Sequence, residues 1–108
     1  MALFEHVVLL KQDLSSSDLE SEIKMHEDLI AELEGNIVSK ESWGLRNLAY
    51  PIKNNKKAFY ELMNIDVPNK NIKKMNEKLN LNENIIRYIT VKVKNFEDES
   101  SPMMKGNE

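Results

Sequence analysis

Cysteine is absent from all 108 residues, which removes disulfide frameworks and thiolate metal sites and suits a reducing, cytoplasmic setting. Glycine and proline number three each. So few glycines leave nothing for a phosphate-cradling loop, and neither a P-loop nor a Gly-rich dinucleotide fingerprint is found. Aromatic residues make up 6%, and no segment resembles the RNP1 pattern of a base-stacking sheet, so base stacking is disfavoured. Long apolar runs are missing too. The opening stretch, MALFEHVVLLKQ, carries Glu5 and His6 inside it, so neither a signal peptide nor a membrane span fits and no membrane partner is expected. A chain of this length is expected to enclose one two-layer core rather than two domains.

Positive charge is not in excess either: Lys and Arg number 15 against 18 Asp and Glu, a formal net charge of −3. A protein that coats nucleic acid is usually basic throughout. Here the charge is unevenly placed. Residues 1–35 hold two basic and nine acidic groups, residues 40–60 hold five basic and one acidic, and residues 61–108 hold eight of each. The middle segment is therefore locally +4 and can focus a field on a polyanion, although salt screens it beyond about 8 Å. RNA would be repelled by the acidic first third, so the middle segment and the final strand are the parts expected to face it.

Ala2 to Lys11 is rich in Val, Leu and Phe without a breaker, the pattern of a buried strand. Ser15, Ser16 and Ser17 follow as N-cap candidates, with Ser17 and Glu20 spaced as a capping box. Leu19, Ile23, His26, Ile30 and Leu33 then recur at helical spacing until Gly35. From Ile37 the period changes to two through Val38, the Trp43-Gly44 pair, Leu45, Leu48 and Tyr50, with Gly44 placed for a bulge and Pro51 near the strand's end. KNNKK, Lys53 to Lys57, is expected as a turn, after which Ala58 to Asp66 alternates again as an antiparallel partner strand. Beyond Pro68, the Ile72, Met75 and Leu79 set marks a shorter amphipathic helix, and Ile85 to Val93 a β-branched final strand. Residues 1–96 are expected to form the domain, and residues 97–108, EDESSPMMKGNE, a flexible tail.

The order βαββαβ, with two helices on one face of a four-stranded antiparallel sheet, is the α+β ferredoxin-like split βαβ sandwich. Many functions use it. His6 in a strand and His26 on a helix face read as satisfied structural histidines, with no metal site, no cofactor and no Ser or Cys nucleophile motif beside them. Small enzymes of this fold need an anion loop with a positioned Arg near the first strand, and VVLLKQDL offers neither Arg nor Gly. No catalysis and no small-molecule substrate are expected.

WGLRNLAYPIKNNKKAFYELMN, residues 43–64, resembles the bacterial small-subunit ribosomal protein six family, with its Trp-Gly, Arg, Leu-Ala-Tyr-Pro-Ile, basic turn and Tyr at matching spacing. LFEHVVLL is similar to the family's opening strand with its aromatic-Glu pair, LNENIIRYITVKV to its final helix-strand junction, and SSPMMK to the tail of some members. Some members carry a long Glu-rich extension where this chain stops at Glu108. The resemblance implies a ribosome-bound assembly protein that pairs with the eighteenth small-subunit ribosomal protein and, as a heterodimer, binds the central domain of the small-subunit ribosomal RNA.

Within that role Arg46, Lys53, Lys56, Lys57, Arg87, Lys92 and Lys94 are the candidates for phosphate contact, and Trp43, Leu45, Leu48, Tyr50 and Tyr60 for the protein-partner interface. Trp43, Leu48 and Tyr60 alternatively fill the core, Arg87 alternatively pairs with a carboxylate, and the hairpin lysines are alternatively a solvated charge run. Leu45 and Tyr50 are expected together on the open side of the hairpin strand. A different class of function, a small homo-oligomeric ligand-binding or regulatory domain, would use the open sheet face for a second copy.

Overall fold

The computed structural model describes residues 2–94, so the expected tail lies outside the described residues. The elements are β1 (Ala2–Lys11), α1 (Ser16–Glu32), β2 (Asn36–Ile52), β3 (Asn55–Val67), a 3-10 turn (Asn69–Asn71), α2 (Ile72–Asn80) and β4 (Ile85–Val93). The four strands form one antiparallel sheet in the order β2-β3-β1-β4, the ferredoxin-like arrangement. Both helices cover the same side.

Strand alternation divides the side chains of β1 between two cores. Ala2, Phe4, Val8 and Leu10 meet Met63, Ile65, Val67, Ile30, Leu33, Met75 and Leu79 under the helices. Val7 and Leu9 join Ala58, Leu62 and Ile86 on the opposite side, where Trp43, Leu48, Ile52 and Tyr60 pack over them. The face away from the helices is therefore partly closed by the chain itself. Its cover comes from the β2-β3 hairpin. Pairing in that hairpin is irregular between Asn47 and Ile52, and although β2 and β4 are opposite edges of the sheet, Arg87 Nη1 on β4 donates to Tyr50 Oη at 3.2 Å. Past Asn47, then, the end of β2 curls across the face.

Helix α1 begins two residues earlier than the capping-box spacing implies: Ser15 is the N-cap, its Oγ accepting from Asp18 N at 3.1 Å, and the Ser17-Glu20 pair lies inside the helix. At the other end Gly35 N donates to Ile30 O and Glu34 N to Ala31 O, a Schellman pair in which Glu34 takes the left-handed position with φ 64°. Gly35 is required for space. A Cβ there would stand 2.6 Å from both Asp66 O and Val67 Cγ2. Gly44 has the opposite reason, since a Cβ would meet nothing within 4 Å but its φ of +73° belongs to a bulge where the β2-β3 register shifts between Ser42 and Gly44.

The expected five-residue turn is only two residues long. Lys53 and Asn54 have φ of 48° and 68°, a type I′ pair whose twist suits a tight hairpin, and Ile52 pairs directly with Asn55. Lys56 and Lys57 thus belong to β3 and point to opposite sides. The Asn55 side chain completes the turn by donating to Ile52 O at 3.3 Å and Lys53 O at 3.0 Å while accepting from Gln12 N at 3.1 Å. Gln12 Oε1 in turn accepts from Lys57 N at 3.2 Å, so the hairpin tip is tied to the end of β1.

The two histidines are half satisfied rather than satisfied. His6 Nδ1 shares a 2.8 Å hydrogen bond with Thr90 Oγ1 and His26 Nδ1 one of 2.8 Å with Glu22 O, but Nε2 of each is buried without a partner among the described residues. Their rings lie 6.2 Å apart. Burial, reinforced by His26, pushes the His6 imidazole down to about 3. Close by, the buried Glu22 carboxylate accepts from Asn82 Nδ2 at 2.7 Å and Asn84 Nδ2 at 2.6 Å, which fastens α1 to the loop entering β4.

Candidate nucleic-acid interface

Five of the seven candidate cations collect at one end of the sheet, the end where β1 stops, β4 starts and the hairpin turns. Arg46 lies opposite Ala58 on the face away from the helices, its guanidinium 4.6 Å from the centre of the Trp43 ring and its Nε donating to Trp43 O at 3.3 Å. Trp43 stacks on Tyr60 with 6.5 Å between centroids and 17° between planes. These contacts hold Arg46 in place while leaving it exposed. Lys53, at the hairpin turn, lines a cleft of about 240 Å³ together with Leu79, Asn80, Asn82, Arg87 and Tyr88. That brings Lys53 and Arg87, far apart in sequence, to one mouth. Lys57 borders a shallow depression with Trp43, Leu45, Arg46 and Asn47, and Lys56 another with Asn47 to Pro51.

Among the described residues the ion pairs are Lys40 with Glu27 at 3.4 Å and Lys78 with Glu32 at 3.2 Å, so none of the five cations is neutralised by a carboxylate. Arg87 bonds a phenol instead of the carboxylate considered for it. Lys92 and Lys94 stand apart. Lys92 pairs with Phe4 at the far end of β4, about 17 Å along the strand from Arg87.

The five apolar candidates also divide. Trp43, Leu48 and Tyr60 are half-buried over the second core, whereas Tyr50 is 58% exposed on the same face. Leu45 does not join them. Its register partner Phe59 packs against the helix-side core, so the expected shared side with Tyr50 is corrected: Leu45 belongs to the helix side, 44% exposed near the β2 edge. The bulge at Trp43 and Gly44 inserts the residue that reverses the alternation. Sequence spacing offered no sign of the Glu22, Asn82 and Asn84 clamp, whose members are about 60 residues apart.

The fold is shared with the crystal structure of 30S ribosomal protein S6 from Thermotoga maritima, at a TM-score of 0.81 and 20% identity over 85% of this chain and 87% of that one. Closer in sequence is the small ribosomal subunit protein bS6 of Bartonella bacilliformis, 42% identical over 96% of this chain and 76% of its own length. Those of Zymomonas mobilis and Rickettsia prowazekii are 42% and 39% identical, over 97% and 98% of this chain and 85% and 88% of theirs. The family model described as ribosomal protein S6 matches residues 3–92, and the chain belongs to the ribosomal protein S6 family.

Proposed function

We infer that this chain, a structural constituent of the small ribosomal subunit in the bacterial cytoplasm, binds the central domain of the small-subunit ribosomal RNA together with the eighteenth small-subunit protein during assembly. The observation that carries this is the group of five cations without carboxylate partners among the described residues, Arg46, Lys53, Lys56, Lys57 and Arg87, at the hairpin end of a chain whose net charge is −3. Phosphate contacts from so few cations position a protein on RNA but read no bases. They also leave affinity modest, and a basic partner supplies the remainder. The family is a structural ribosomal one rather than an enzyme family.

The test is a binding titration of a central-domain RNA fragment with the chain alone, the partner alone and both. Tight binding only by the mixture supports the inference. Equal binding with and without the partner, or none by any, overturns it. Sedimentation of the same samples separates the homo-oligomeric alternative, in which the chain self-associates and ignores both partner and RNA.

A further inference from the structure

The cleft between the hairpin turn and the end of α2 joins two kinds of surface. Lys53 and Arg87, both exposed, supply its charge, while the nearly buried Leu79, Ile85 and Ile86 supply an aliphatic floor. A phosphate group alone would occupy only part of its roughly 240 Å³ and would leave that floor in water. Helix α2 ends here at Asn80, and the partial negative charge of a helix C-terminus disfavours an anion deep in the cleft while favouring N–H donors. The mouth thus suits a phosphate and the interior a flat, weakly polar group that carries N–H.

Its walls are fixed by the fold. Asn55 Nδ2 donates to Lys53 O at 3.0 Å, and Lys11 N donates to Asn84 O at 3.0 Å, so the hairpin turn is braced and the loop from α2 to β4 is tied to β1. Asn82 N donates to Leu79 O at 3.1 Å and closes the end of the helix. Such walls need little ordering when a ligand enters. The polar groups divide into those already used and those left for a ligand. Asn82 is engaged at both ends of its amide, its Nδ2 donating to Glu22 and its Oδ1 accepting from Asn84 N. Asn80 Oδ1 accepts from Tyr88 Oη at 2.9 Å, which orients the amide and leaves Nδ2 as a donor without a partner among the described residues. Arg87 gives Nη1 to Tyr50 Oη, which steadies the guanidinium plane and leaves its other N–H groups.

We propose that this cleft seats one unpaired nucleotide of the bound RNA, with its phosphate between Lys53 and Arg87 at the mouth and its base over the aliphatic floor beside the Arg87 guanidinium and the Asn80 amide. Unpaired bases are held in this way, against planar side chains and by amide hydrogen bonds, whereas a paired base does not leave its stack. The seat lies at the edge of the sheet, so it calls for no aromatic platform on the sheet face. The proposal rests on the proposed function and adds to its phosphate contacts one that a regular duplex does not make.

The experiment titrates a central-domain RNA fragment with the chain and the eighteenth small-subunit protein together, for wild type, Asn80→Ala and Arg87→Lys, at several salt concentrations, with thermal melting of each chain alone. Both variants keep the number of cations, so the slope of log affinity against log salt should stay as in wild type while affinity falls about tenfold, the size of one base contact. Should Asn80→Ala not fold, Arg87→Lys, at an exposed position, decides alone. Wild-type affinity in whichever variant folds overturns the proposal, makes the cleft cations phosphate contacts only and leaves the proposed function standing. Absence of RNA binding by wild type fails the proposed function instead, and this seat with it. Adenosine monophosphate, uridine monophosphate and inorganic phosphate, each added to the isolated chain and followed by amide NMR, separate the sources. The nucleotides should shift Leu79, Asn80 and Ile85 to Tyr88, and phosphate only Lys53 and Arg87. Identical shifts from nucleotide and phosphate overturn the base seat. Tight binding of a free nucleotide, with RNA affinity unchanged in the variants, assigns the cleft to a soluble nucleotide and also overturns the proposal.

Discussion

Acidifying the protein should destabilise it earlier than its carboxylates alone require, because of His6. The ring is 1% exposed, lies 6.2 Å from both His26 and Tyr88, and has one nitrogen on Thr90 and the other without a partner among the described residues. In the native state its proton affinity is pushed down to about 3, by burial first and by His26 second, from the 6.5 of an unfolded chain. Between those values the unfolded chain binds the proton and the native chain does not, so stability falls as pH drops from 6.5 towards 3 and is unaffected by His6 above that window. The slope approaches about 1.4 kcal/mol per pH unit, which is about 3 kcal/mol by pH 4.5 and a ceiling near 5 kcal/mol. Against a domain stability of about 5–15 kcal/mol, this is a large share. Glu61 acts in the opposite sense: burial raises its carboxyl against the pull of Ser42 and Lys40, so its contribution is lost as pH rises through that raised value. Urea unfolding of wild type and His6→Gln at half-unit intervals from about pH 7 to 4 measures the difference. The variant should lose close to one proton's worth of slope. Parallel curves for the two proteins across that range would refute a neutral, buried His6.

Glu22→Ala, which strands Asn82 and Asn84, should cost about 2–4 kcal/mol in urea unfolding. Gly35→Ala should cost about 1–3 kcal/mol, because the new methyl group collides with the β3 backbone at Asp66, and thermal melting detects it. Leu45→Asp should lower the stability of the isolated chain by about 1 kcal/mol, as expected for a half-exposed leucine, and leave calorimetric affinity for the partner protein unchanged.

What could be read from the sequence follows how local the determinant is. The breaker-free run from Ala2 to Lys11 and the β-branched run from Ile85 to Val93 gave strands with those bounds, since alternation and turn residues are neighbours in the chain. The turn's length is hidden in the sequence because Lys53 and Asn54 take positive φ without a glycine, and only pairing of Ile52 with Asn55 reveals how short it is. The side that Leu45 takes is not legible from spacing, because a single bulged residue reverses every position after it and spacing alone does not locate that reversal to one residue. The candidate cations were legible as a charge excess, but their division was not. Lys53 and Arg87 meet only because β2 curls over the sheet, and Lys92 is separated only by its register with Phe4.

The most direct measurement is the salt dependence of central-domain RNA binding by the chain and its partner together, with wild type compared against a variant carrying Arg46, Lys53, Lys56, Lys57 and Arg87 all replaced by Ala. Each lost phosphate contact removes about 0.7–0.9 from the slope of log affinity against log salt, so five contacts correspond to a decrease of about 3 to 5. That decrease, with partner affinity in the absence of RNA retained, is the expected result. An unchanged slope would mean that the hairpin end is a solvated charge cluster and that the RNA lies elsewhere on the protein.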